Sequence, residues 1–141
     1  QYMAEFDGTT LSVSVREGMV AVEGRLFDGS ASRGQQLSVS GDGRPVLTNI
    51  SPFSAAWQWV EATAPRIDVD GMSTWDFLHW VGRETGLEIR FASAEAENIA
   101  RRGKLKGRVN ADPRTELRIR MLGEDLGYSI SAGILTISVS E

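Results

Sequence analysis

Along the first fifty residues, apolar and polar side chains alternate at period two. Leu11, Val13 and Val15 alternate with Ser12 and Ser14, and Met19, Ala21 and Val22 follow across Arg16-Glu17-Gly18. This spacing predicts a hairpin with one buried face. Gly24, Gly29, Gly34, Gly41 and Gly43 cut the segment into short runs, Leu37-Ser38-Val39 alternates between two of them, and Asp42-Gly43 is a turn signal. Such punctuation suits a small sandwich or a short β-solenoid. Pro45 has no N–H to give a ladder, which confines the strand after it to a sheet edge or a strand end. Beyond Pro52 the run Phe53 to Val60 predicts a turn of helix that leaves the sheet and stops before Pro65. An all-β module over residues 1–62 is the expectation.

From Arg66 the rhythm changes to β-α-β-(α)-β-α-β-β, so a second, α/β module is expected over 66–141, built of two βαβ-like halves. The chain as a whole is α+β. Arg66-Ile67-Asp68-Val69 alternates as a strand. Ser73 is the cap of the next helix, Asp76 stands three residues on as in a capping box, and Gly86 supplies a left-handed stop. At about 100° per residue, Thr74, Phe77, Leu78, Val81, Gly82 and Thr85 share one arc, which leaves Trp80 with Asp76, His79, Arg83 and Glu84 on the other. Leu87 to Phe91 is the following strand, and Ala94 to Arg102 a short, weak helix before Gly103. Lys104, Lys106 and Arg108 alternate with Leu105, Gly107 and Val109, so three cations share one strand face. Asp112 caps the last helix, Pro113 opens it, and Gly127 is its expected end. Tyr128 to Val139 reads as a hairpin around Ser131-Ala132-Gly133.

Composition changes this picture little. The 141 residues are 41% hydrophobic and 24% charged, as in ordinary folded proteins. A net charge of −4 argues against a general nucleic-acid binder. Only 4 of the 15 basic residues precede Arg66, so a basic patch belongs to the second half. With no Cys, disulfides, thiolate metal sites and a Cys nucleophile are excluded. No apolar run approaches the roughly 20 residues of a membrane span, and no charged-then-apolar leader begins the chain, so it is expected to be soluble as it stands. Gln1 in place of an initiator Met is expected of a processed or excised chain, and any membrane anchor would then have been cut away from it.

Two neighbouring patterns carry a resemblance. Val13-Ser14-Val15-Arg16-Glu17-Gly18-Met19-Val20-Ala21-Val22, then Arg33-Gly34-Gln35-Gln36-Leu37-Ser38-Val39 with Asp42-Gly43, resembles the later part of the FecR domain, whose Trp after the sheet looks like Trp57. From Ile67 the chain resembles the secretin and TonB-receptor short N-terminal domain. Arg83-Glu84-Thr85-Gly86-Leu87, Leu105-Lys106-Gly107-Arg108-Val109, Met121-Leu122 and Gly127-Tyr128-Ser129-Ile130 carry that similarity. In this order the two imply the periplasmic part of a FecR-type transmembrane sigma-factor regulator. Such a protein senses, by protein contact, an outer-membrane TonB-dependent transducer through its signalling domain, in iron-uptake-type signalling. A membrane span and a cytoplasmic segment holding the sigma factor complete it, and neither is in this chain. Arg118 departs from the pattern, since it falls within the apolar arc of Leu117, Met121, Leu122 and Leu126. The alternative is a structural periplasmic adaptor or secretin-associated assembly module of the same fold.

Catalytic chemistry finds little to work with. His79 is the only His, and its helical neighbours Asp76 and Arg83 suit a solvated surface better than a triad. Asp68, Asp70 and Asp76 lack the loop of a calcium site and read as a wet rim. Gly41-Asp42-Gly43 is a turn without the Lys-Ser/Thr of a phosphate cradle. No enzyme activity, cofactor or metal is therefore expected. The candidate partner-binding residues are Trp80, the cations Lys104, Lys106 and Arg108, and the pair Met121 and Leu122. Trp80 suits either a partner contact or packing against the first module or Trp57 and Trp59. The cations suit either steering of an acidic partner or a solvated face. Open strand edges offer another route to a partner, or to strand exchange between copies of this chain.

Overall fold

The computed structural model describes residues 1–122 and 125–140. It is α+β and divides into two compact units, Gln1–Ser54 and Ala55–Glu141. The division falls earlier than the Pro65 boundary read from the sequence, so Trp57 and the short helix after it belong to the second unit.

The first unit is all β. Strands β1 (Tyr2–Phe6), β2 (Leu11–Val15), β5 (Gln35–Val39) and β6 (Pro45–Asn49) form one antiparallel sheet in the order β1-β2-β5-β6, while β3 (Met19–Glu23) and β4 (Asp28–Ser32) form a second. Period-two alternation puts Val15, Leu37 and Val39 on one face of the large sheet, where they pack with Ala31, Val20, Val22 and Phe27 of the smaller sheet and its connection. Pro45 opens the edge strand β6, as its missing N–H requires. The expected hairpin across Arg16-Glu17-Gly18 does not form: β2 pairs with β1 and β5, and β3 with β4. The backbone groups that would close it are taken, for Val15 O accepts from Gly34 N at 2.9 Å, and Arg16 N and Glu17 N donate to Gln1 O at 2.9 and 3.1 Å. The turn carries the chain from one sheet to the other, and the buried Arg16 anchors it by donating from Nε to Pro52 O at 2.8 Å.

In the second unit a 3-10 turn (Ala55–Trp57) leads into α1 (Gln58–Ala62), followed by α2 (Thr74–Thr85), β7 (Glu88–Phe91), α3 (Ala94–Arg102), α4 (Pro113–Met121), β8 (Leu126–Ser131) and β9 (Ile134–Val139). The sheet order is β7-β9-β8, with β7 parallel and β8 antiparallel to β9. Helix α2 has the predicted ends. Ser73 Oγ accepts from Asp76 N at 3.0 Å and donates to its carboxylate at 2.6 Å, and Gly86 stops the helix at φ 74°. Gly82 lies so close to β7 that an added Cβ would come within 2.9 Å of Ile89. Leu135 and Ile137 of β9 are fully buried under the helices, and the β8–β9 hairpin turns through Ala132 (φ 48°) and Gly133 (φ 77°).

Three expectations are corrected here. Trp80 is 3% exposed, inside the core of the second unit and stacked on Phe77 at 5.8 Å. The helix is covered on a second side by α1 and α4 as well as by α3, so its buried arc is wider than a single sheet contact would give, and Glu84 is buried with it. The last helix ends at Met121, not at Gly127, because Leu126 already opens β8 and faces Val139 across the ladder. Arg66 to Val69 and Lys104 to Val109 do not make full strands. They run antiparallel through isolated bridges, Asp68 with Arg108 and Ser73 with Lys104, and Gly107 at φ 86° breaks the regular ladder.

Candidate partner-binding face

The segment Lys104 to Val109 holds its predicted alternation even without regular strand pairing. Leu105 and Val109 are buried, while Lys104, Lys106 and Arg108 are exposed. One side of the segment is bonded to the chain before α2, with Val69 N donating to Gly107 O at 3.1 Å, Gly71 N to Leu105 O at 2.9 Å and Leu105 N to Met72 O at 2.9 Å. The other side is closed by side chains, with Asn110 Nδ2 donating to Arg108 O at 3.4 Å. Arg120 donates to Lys106 O and Arg108 O, both at 2.9 Å, in the place where a neighbouring strand would supply N–H groups.

Arg120 is in turn held by Glu116, one helical turn earlier, at 2.9 Å. Glu116 is 4% exposed. Its other carboxylate oxygen accepts from Asn110 N at 2.8 Å and Ala111 N at 3.0 Å, which ties the end of the cationic segment to α4. Burial pushes the Glu116 carboxyl up, but the two backbone N–H groups and the Arg120 guanidinium outweigh it and hold it below its ordinary value. Asp112, the α4 cap, is also held low, by the Thr115 hydroxyl and then by the backbone N–H groups of Thr115 and Arg114.

This bracing leaves a shallow groove of about 410 Å³ lined by Lys104, Leu105, Lys106, Ile119 and Arg120. Ile119 is 53% exposed within this groove, so apolar surface lies beside Lys104 and Lys106, and Leu122, just past the end of α4, is 76% exposed. A second depression, of about 300 Å³, runs from Arg66 to Asn110 past Asp68 and Arg108, whose ion pair is a loose 3.8 Å.

The sequence-derived candidates therefore separate. Lys104, Lys106 and Arg108 are all exposed, the two lysines lining one depression and Arg108 the other, and Leu122 is exposed. Trp80 and Met121 are core residues and are not available to a partner. Arg118 points to solvent because the buried side of α4 is Pro113, Glu116, Leu117 and Met121, which removes the conflict its charge posed. Ile119 and the Glu116–Arg120 brace escaped sequence reasoning, although a Glu and an Arg four apart on a capped helix was a readable signal.

Elsewhere His79 is used structurally. Its ring stacks on Trp75 at 3.7 Å, its Nδ1 lies 2.9 Å from Trp75 O, and Arg101 sits at 4.4 Å from the centre of the Trp75 ring. Among the described residues no three His, Asp or Glu gather as a metal site, and no helix is long and apolar enough to cross a membrane.

Fold and face together define a two-unit α+β protein with a braced cationic surface on its second unit. Among solved structures, the chain is similar to two crystal structures of a candidate anti-sigma factor from Parabacteroides distasonis ATCC 8503, each with 14% identity and a TM-score of 0.43 over 99% of this chain. The match spans 63% of that longer chain. No family model and no curated protein matches the sequence.

Proposed function

We propose that this chain is the periplasmic sensor region of a FecR-type sigma-factor regulator, which binds the signalling domain of an outer-membrane TonB-dependent receptor. The order of the two sequence patterns supports this reading, a FecR-like β module before a module like the secretin and TonB short N-terminal domain. The observation that carries it is the exposed row of Lys104, Lys106 and Arg108, held by Arg120, with exposed Ile119 lining the same groove as the two lysines. A solvated strand face needs no such bracing. A contact surface gains from it, because side chains presented on a fixed backbone lose less freedom on binding. Cations on that surface steer an acidic partner, and exposed Ile119 gives it something to bury. Receptor binding would then shift the balance between states of the regulator, and the message would pass along the chain toward the membrane.

Calorimetric titration with the isolated signalling domain of the TonB-dependent receptor encoded nearest to this chain tests the reading. Saturable binding that weakens at least tenfold in the Lys104→Glu/Lys106→Glu/Arg108→Glu variant, and weakens with added salt, is the expected result. No heat of binding from the folded chain would overturn it and favour an assembly module of the same fold. Trp80→Ala is not a useful probe of this contact, since that side chain is in the core.

A further inference from the structure

The two edges of the three-stranded sheet differ in kind. Along β7, Glu88 and Arg90 form an ion pair of 3.0 Å, and charge of this sort keeps an edge strand from recruiting other strands. Strand β8, Leu126-Gly127-Tyr128-Ser129-Ile130-Ser131, has neither a charged residue nor a proline. Its hydrogen-bonding sense follows from one contact. Ser140 N donates to Asp125 O at 2.9 Å, so residues 125 and 140 are a hydrogen-bonded pair of the antiparallel ladder. Alternation then turns Gly127, Ser129 and Ser131 toward β9 and leaves the N–H and C=O of Tyr128 and Ile130 on the open side.

Beside that open side the one charged lining residue without an ion pair among the described residues is a cation, Arg118. A depression of about 260 Å³ lies between β8 and α4, lined by Arg114, Thr115, Leu117, Arg118, Tyr128 and Ile130. Arg114 is held by the Glu61 carboxylate at 2.7 and 3.2 Å. Arg118 is exposed and makes no ion pair among the described residues, and none of the lining side chains is acidic. Ile130 is 42% exposed there.

We infer that β8 is a docking edge, which takes an extended acidic segment of a partner protein by strand addition. The segment's backbone would pair with Tyr128 and Ile130, and one of its carboxylates would reach Arg118. A second copy of this chain is a poorer occupant, because it would bring another Arg114–Arg118 rim and no acid to meet it. The inference deepens the proposed role as a protein-binding regulator by naming a contact separate from the Lys104–Arg108 face.

The test uses blocked hexapeptides of alternating valine and aspartate, or of valine and lysine, titrated into the isotopically labelled full chain at low salt while amide shifts are followed. Shifts centred on Tyr128 and Ile130, with the aspartate peptide at least tenfold tighter, are expected. Ile130→Pro removes an outward N–H without touching the β9 ladder, so it should abolish binding while the chain stays folded. Arg118→Glu should reverse the charge preference even if the proline variant does not fold. No shifts at β8, equal affinity for both peptides, or concentration-dependent pairing of β8 between copies would each overturn the inference. The receptor's signalling domain separates the two readings. Binding unchanged by Ile130→Pro would remove the docking edge and keep the regulator, whereas peptide binding without domain binding would do the reverse.

Discussion

Glu116→Ala is expected to be the most damaging single change among the charged residues of α4. It removes a buried carboxylate that accepts two backbone N–H groups, at 2.8 and 3.0 Å, and the Arg120 guanidinium at 2.9 Å. Leaving a buried donor without a partner costs about 1–3 kcal/mol, and breaking a buried ion pair by removing one member costs about 3–5 kcal/mol. Arg120 keeps its two backbone carbonyls and a place over the Phe77 ring, and water can reach Asn110, so the lower end, about 3 kcal/mol, is expected. For a unit of this size each kcal/mol lowers the melting temperature by about 4–8 °C, so the transition should fall by on the order of 12–24 °C. Scanning calorimetry measures it, and urea titration gives the free energy directly. Arg120→Ala and the double variant complete a cycle, in which a coupling of about 1.5 kcal/mol or more is expected. A loss below about 1 kcal/mol for Glu116→Ala would refute the argument that this carboxylate fastens the cationic segment to α4.

Trp80→Phe should cost less than about 1.5 kcal/mol, since Trp80 Nε1 is buried with no hydrogen-bond partner among the described residues, whereas Trp80→Ala should cost about 3–5 kcal/mol by emptying the core beside Phe77. Equal losses in urea unfolding would mean that the indole N–H is satisfied. Acid should weaken the second unit through Glu116 and Asp112. Both carboxyls are held below their ordinary values of 4.5 and 3.8, so the unfolded chain binds more protons and stability falls as the pH drops below about 4.5. Thermal melts between pH 3 and 7 should show a shallower decline in Glu116→Gln than in the parent chain, and identical profiles would count against the assignment.

Where a local signal decided the structure, the sequence showed it. The Ser73 and Gly86 ends of α2, the Ala94–Arg102 helix, the edge position of Pro45 and the alternation of Leu105 and Val109 all follow from capping, missing donors or period two. Contacts distant in sequence decided the rest. Nothing within residues 11–22 shows that Gly34 and Gln1 claim the groups a hairpin would use. Trp80 was misplaced because an amphipathic arc assumes one covered side, and α2 is covered on several. Extending α4 to Gly127 let Leu126 count as a helical position when its neighbours Tyr128 and Ile130 already alternate as strand. The cations of the candidate face were legible as types and spacing, but the brace that fixes them was not, since Arg120 acts on carbonyls 12 and 14 residues away.

That brace bears on how a contact at this surface could be felt elsewhere in the unit. Helix α4 carries Glu116 and Arg120 toward the Lys104–Arg108 row, and Arg114 and Arg118 toward the edge of β8. Its buried side is fixed by Leu117 and Met121 in the core, and its first turn by the Asp112 cap. A partner drawing on Arg118 pulls on the same nine-residue helix that positions the cationic row. Coupling of this kind needs no long pathway, only one rigid element shared by two contacts. By linkage, whatever one contact does to the affinity of the other must be returned in equal measure. A regulator that reports occupancy of a receptor has use for such an element, and a purely structural adaptor has none.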